Sequence, residues 1–129
     1  ITSILTRMGR VLDTEGNFNN ELCLPLTLFR LDRADDYAVL EMGASNPGDI
    51  AYLAGIARPE VGIITNVGPA HLEGFRSIEG VASAKGEIYA ALPDSGTAVI
   101  NAAGMTEPAC SSQGIGAAAT HRRDQGPLR

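Results

Sequence analysis

The chain has 129 residues, of which 44% are hydrophobic and 19% are charged, and its formal net charge is −5 at pH 7. This composition is typical of one globular domain with its own core. The negative charge and the scattered arginines argue against a general nucleic-acid binder. No run of about 18 apolar residues predicts a membrane span, and no signal-peptide pattern opens the chain, so we expect a cytoplasmic protein. Cys23 and Cys110 lack partners at disulfide or zinc spacing, which predicts reduced thiols.

The first predicted element is a short amphipathic helix that ends near Gly9. Its apolar positions follow the spacing i, i+3, i+4, i+7 and are Ile1, Ile4, Leu5 and Met8. Because the first residue is isoleucine and no capping residue precedes the helix, we expect the chain to be a fragment of a longer protein.

A short strand at residues 11–12 is followed by an asparagine-rich turn at residues 13–20. Asparagine amides in such a turn can bond the backbone or a ligand, and both interpretations stay open at this point. The three asparagines in question are Asn17, Asn19 and Asn20. Residues 25–31 then predict a helix with proline in its first turn.

Three apolar strands are predicted next, and each ends in a side chain that can bond a ligand. They cover residues 37–43, 61–66 and 97–101, and the side chains are Glu41, Asn66 and Asn101. Ligands of parallel sheets bind outside the carboxyl ends of the strands, so we expect a site where these strands end. A buried glutamate needs a cation, a metal or a hydrogen-bond donor, whereas one at a strand end can also reach water or a salt bridge.

Two further helices complete the predicted pattern. One spans about residues 49–57 and makes a βαβ unit of the strands on either side of it, with a right-handed crossover. The other is capped by Ser77 and runs to about Leu92. Lys85 lies on the apolar stripe of that helix, where it either extends to the surface or points into a site as a reactive amine. Beyond residue 101 apolar periodicity disappears, which predicts a poorly ordered tail at residues 102–129.

Five segments carry a resemblance to a known family. They are Gly16–Glu21, Leu24–Leu28, Glu41–Ala44, Thr65–Phe75 and Ala84–Ile88. Together they resemble the central, ATP-binding domain of the Mur ligases. The resemblance covers about residues 11–101 and implies an α/β fold in which a mostly parallel sheet is flanked by helices, like that of the P-loop NTPases. The domain, residues 1–101, is expected to be incomplete, because no Gly-rich phosphate loop ending in Gly-Lys-Thr or Gly-Lys-Ser is present.

The resemblance also implies an activity. The family members that this chain is most similar to use ATP to form an acyl phosphate and then an amide, joining D-alanyl-D-alanine to UDP-N-acetylmuramoyl-tripeptide in peptidoglycan synthesis. We expect the isolated chain to be inactive, because its phosphate loop is missing. We also expect a monomer that engages neither nucleic acid nor membrane.

The resemblance assigns roles to the candidate site residues. Glu41, His71 and Lys85 match ligands of Mg²⁺, and His71 and Lys85 also match catalytic positions, with Lys85 carrying a carbamate. Asn101 matches a residue at the base of ATP, and Asn66 is expected at the same mouth. The asparagines that match the turn near the nucleotide-linked substrate are Asn17, Asn19 and Asn20.

Two other hypotheses remain open from the sequence. One is a non-catalytic remnant, or a nucleotide- or metal-binding module, on the same scaffold. The other is a ligase of the same superfamily with another substrate, such as the folylpolyglutamate type. The asparagine-rich turn argues against the latter.

Overall fold

The computed structural model describes residues 1–68 and 72–101. The predicted tail at residues 102–129 therefore lies outside the described residues and stays a prediction. The helices and strands of the described part are, in chain order, α1 (Thr2–Leu5), β1 (Val11–Asp13), α2 (Cys23–Leu28), β2 (Tyr37–Val39), α3 (Asp49–Ala57), β3 (Val61–Ile64), α4 (Leu72–Phe75), α5 (Ile78–Ala90) and β4 (Thr97–Ile100). No helix in this part is both long and apolar enough to span a bilayer.

The strands form two parallel pairs. Strand β1 pairs with β2 in the register Val11 to Tyr37, and β3 pairs with β4 in the register Val61 to Thr97. The prediction of parallel strands flanked by helices is confirmed. The expected βαβ unit of β2, α3 and β3 is wrong as a paired unit, because in the described residues β2 and β3 belong to different sheets. Paired strands are instead linked through α2 and through α4 and α5, since sequence order alone does not decide which strand edges meet.

Side-chain oxygens accept hydrogen bonds from backbone N–H groups at the starts of two helices, α2 and α5. The predicted cap of α5 is confirmed, because the Ser77 hydroxyl accepts a hydrogen bond of 3.1 Å from the Gly80 N–H. Helix α2 begins earlier than expected, because Asn20 Oδ1 accepts hydrogen bonds from the N–H groups of Leu22 and Cys23. Helix α1 ends at Leu5 rather than Met8.

Helix α3 has the predicted bounds and ends in a left-handed residue. Arg58 follows it with φ of 48°, and its N–H donates to the Ala54 carbonyl over 2.7 Å. Glycine is the residue that usually occupies this position, because a Cβ is crowded there. The helix therefore ends in a strained side-chain-bearing residue.

Replacing Arg58 with glycine is expected to raise the free energy of unfolding by about 0.5–1 kcal/mol, because the left-handed conformation costs glycine little. Urea denaturation of both chains measures the difference. Arg33→Gly is the control, since Arg33 is exposed and has no positive φ. A loss of stability in Arg58→Gly equal to that in Arg33→Gly would contradict the account.

Helix α5 organises the core. It packs against α3, α4 and β3, and the Tyr89 hydroxyl donates to the Val99 carbonyl of β4 over 2.9 Å. The buried apolar residues are Leu12, Leu24, Ile50, Leu53, Ala54, Ile64, Phe75, Val81, Ala82, Ala84 and Tyr89. Most of them lie in α3 and α5 or face these helices, so α5 holds a fixed position relative to the loops that follow β2 and β3.

Candidate functional site

Glu41 lies just beyond β2 and is exposed, between half-buried neighbours. Its Oε1 accepts a hydrogen bond of 2.7 Å from Asn19 Nδ2, and its backbone N–H donates to Thr14 Oγ1 over 2.9 Å. Of the two alternatives left open for Glu41, the structure shows the exposed one, and β2 ends at Val39 rather than at residue 43. Glu41 instead meets a neutral donor, and its carboxylate remains accessible from solvent.

The asparagine-rich turn divides into residues with different contacts. Asn19 is half-buried, and its backbone carbonyl also accepts a hydrogen bond of 2.8 Å from the Gly43 N–H. A Cβ on Gly43 would fall 2.8 Å from Asn19 Oδ1, so a side chain at this position would displace the Asn19 amide. Asn20 Oδ1 accepts hydrogen bonds from backbone N–H groups at the start of α2, whereas the Asn17 side chain is exposed. Asn19 therefore positions Glu41, and the expected contacts of all three asparagines with substrate stay predictions.

Lys85, Asn66 and Asn101 come together where β3 and β4 end. Lys85 is half-buried, and its Nζ donates to the Asn66 carbonyl over 2.8 Å. Asn101 Nδ2 donates to the Thr65 carbonyl, also over 2.8 Å. From the sequence, Lys85 could extend to the surface or point into a site. In the structure its amine points to the carboxyl end of β3. Both contacts are with backbone carbonyls, so the Lys85 and Asn101 side chains reach the end of β3, whereas a role for the Asn66 side chain stays a prediction.

The loop from Ala44 to Gly48 follows Glu41 and is held by two carboxylates. Asp49 Oδ2 accepts hydrogen bonds of 2.9 Å from the N–H groups of Ser45 and Asn46, and these bonds hold the pKa of Asp49 below its ordinary value. Glu87 accepts from the Gly48 and Ala51 N–H groups over 2.8 and 3.0 Å. Sequence reasoning missed Glu87, because an acid on a helix two residues from a lysine carries no signal of a distant backbone partner.

An apolar cluster lies beneath both loops. Phe75, Val81 and Ala84 form it, and Ala44 and Val67 pack against it from the loops after β2 and β3. The two groups of candidate residues, one at Glu41 and one at Lys85, therefore rest on a shared apolar support.

The expected magnesium set is only partly described. His71 lies outside the described residues, and in the described ranges no three acidic, histidine or cysteine side chains come together as a metal site. The exposed Glu41 carboxylate fits a hard cation, since Mg²⁺ prefers oxygen ligands and keeps several waters. The assignment of Glu41, His71 and Lys85 as ligands stays a prediction.

Comparisons with known proteins agree with this fold. Residues 1–117 match the Mur ligase middle domain. The UDP-N-acetylmuramoyl-tripeptide--D-alanyl-D-alanine ligases of Escherichia coli and Haemophilus influenzae are 49% and 50% identical over 100 and 92 residues, which are 78% and 71% of this chain. The chain spans only about a fifth of these curated relatives, 22% and 20% of their lengths.

Solved structures give the same answer. MurF from Acinetobacter baumannii matches with a TM-score of 0.72 and 42% identity over 75% of this chain and 21% of that chain. The MurF ligase from Thermotoga maritima in complex with ADP matches with a TM-score of 0.69 and 40% identity, over 75% of this chain and 23% of that chain. The chain therefore belongs to the Mur ligase middle domain family.

Proposed function

We propose that this chain is part of an ATP-dependent ligase that joins D-alanyl-D-alanine to UDP-N-acetylmuramoyl-tripeptide through an acyl phosphate, in peptidoglycan synthesis. The observation that carries the proposal is the meeting of Lys85, Asn66 and Asn101 at the ends of β3 and β4. Nucleotides bind at such strand ends in α/β sheets. The names of the relatives and the ADP complex of a structural neighbour support the choice of reaction.

In this proposal, residues of this chain hold Mg²⁺ and act at the reacting centre. Glu41, His71 and Lys85 as a carbamate would hold Mg²⁺, and His71 and Lys85 would act at the reacting centre. Bound magnesium neutralises charge that develops on the phosphate oxygens. A protein of net charge −5 needs such local positive charge to accept ATP.

The asparagines would bind and orient ATP and the nucleotide-linked substrate. Asn101 would contact the base of ATP, and Asn66, at the same mouth, would line the nucleotide site. Asn17, Asn19 and Asn20 would face the nucleotide-linked substrate. Asn19 also holds Glu41, so its loss would affect both binding and the carboxylate.

We further propose that the ligase works as a monomer in the cytoplasm, without a nucleic-acid or membrane partner. The scattered basic residues and the negative net charge support the absence of a nucleic-acid partner.

A segment exchange tests the function. The matching 100-residue segment is placed into the E. coli ligase, where it replaces the relative's own segment. Phosphate release is then measured with ATP, Mg²⁺ and both substrates. We expect the chimera to release phosphate only when all are present, and we expect none from the 129-residue chain, which has no Gly-Lys-Thr or Gly-Lys-Ser loop.

Two results would count against these expectations. A chimera that melts cooperatively, like the parent ligase, yet forms no product would favour the non-catalytic remnant or binding module. Phosphate release by the isolated chain would contradict its expected inactivity.

Glu41→Gln in the chimera, which keeps side-chain volume and removes charge, should raise the magnesium concentration needed for half-maximal rate.

A further inference from the structure

We propose that Glu87 is a positioning residue that ties the helix carrying Lys85 to the loop that follows Glu41. The inference rests on the proposed function, because it concerns how two of the proposed magnesium ligands keep their relative position. Nothing in the sequence motifs gives Glu87 a role of its own.

The contacts of Glu87 are long-range and involve both carboxylate oxygens. Oε1 accepts from the Gly48 N–H, 39 residues away, and Oε2 accepts from the Ala51 N–H, 36 residues away. Gly48, with φ of 94°, is the residue at the start of α3 and has no side chain that could cap it. A carboxylate at a helix N-terminus is favoured by the helix dipole and makes charge-assisted hydrogen bonds. Helix α5 therefore supplies the cap that α3 lacks.

The other hydrogen bonds of the loop do not join it to α5. At its start, the Gly43 N–H is held by the Asn19 carbonyl. Asp49 bonds Ser45 and Asn46, which are its own neighbours in the chain, so these bonds shape the loop without joining it to another helix. Glu87 provides a polar link between the end of the loop and α5.

Glu87 and Lys85 project from one rigid element. They are two residues apart in the 13-residue helix α5, and their side chains leave it about 160° apart around the helix axis. Lys85 reaches the end of β3, and Glu87 reaches the start of α3. If Glu87 is removed, Lys85 keeps its hydrogen bond to the Asn66 carbonyl, but the loop from Glu41 to α3 loses its hydrogen bonds to α5. Residues that orient metal ligands commonly change metal affinity when mutated.

Amide hydrogen exchange in the 129-residue chain tests the tie itself. Glu87→Gln is compared with Ser77→Ala, which removes the cap at the other end of the same helix without touching the loop. In Glu87→Gln we expect faster exchange at Gly48 and Ala51 and a shifted Asn19 side-chain amide resonance; in Ser77→Ala we expect neither. Unchanged exchange at Gly48 and Ala51, or a change that does not reach Asn19, would overturn the proposal.

Magnesium dependence in the chimera separates positioning from stability. Glu87→Gln should raise the magnesium concentration for half-maximal rate by about 10-fold, whereas Ser77→Ala should change it by less than about twofold at a similar loss of melting temperature. Equal shifts in the two variants would show that Glu87 only stabilises the fold. An inactive parent chimera would overturn the proposed function, and the amide exchange result would then decide whether Glu87 ties α5 to the loop.

Discussion

Replacing Gly74 with alanine is expected to lower the free energy of unfolding by about 3 kcal/mol, the upper end of the usual cost of overpacking. A Cβ at this position would clash with the Ser45 carbonyl oxygen and lie 3.3 Å from Asn46 Oδ1. The nearer atom belongs to the backbone, so it cannot rotate away as a flexible side chain could. Either α4 or the loop after β2 must move.

The measurement is urea denaturation, with Gly55→Ala as the matched control. Gly55 is an exposed glycine within α3, and a Cβ there meets nothing within 4 Å. Alanine at such a helical position should raise stability by about 0.5–1 kcal/mol, because it restricts the unfolded chain. Equal stabilities for Gly74→Ala and Gly55→Ala would contradict the close packing of α4 against the loop.

Replacing Lys85 with arginine is expected to lower the rate of the chimera by about 100-fold, comparable to the loss of one stabilising group in an active site. Arginine keeps the positive charge, but its guanidinium stays protonated and is not the compact amine that could carry a carbamate. The hydrogen bond from Lys85 Nζ to the Asn66 carbonyl also depends on side-chain length. Steady-state phosphate release, together with the melting temperature, separates lost chemistry from lost folding.

A carbamate on Lys85, as the resemblance implies it, can be sought directly in the 129-residue chain. Lys85 is the only lysine in the sequence, so a lysine carbamate formed with ¹³C-labelled bicarbonate has one possible position. Lys85→Arg is the control that distinguishes this signal from a carbamate on the terminal amine. A fully active Lys85→Arg chimera would remove the role assigned to Lys85.

Local features of the sequence were enough for most of the secondary structure. The bounds of α3 and the Ser77 cap of α5 agree with the structure, because apolar periodicity and capping depend on residues only a few positions apart. The motifs around Glu41 and Lys85 likewise pointed to the family that the comparisons show.

Tertiary structure alone decided how these elements meet. It pairs β1 with β2 and β3 with β4, leaves Glu41 exposed against Asn19, and caps α3 with Glu87. The Asn19 and Glu87 contacts join residues that are 22 and 39 positions apart in the sequence. The paired strands also join residues that are far apart in the sequence. Hydrogen bonds at such separation depend on how packed helices and strands orient their edges, and no local pattern of residues encodes that orientation.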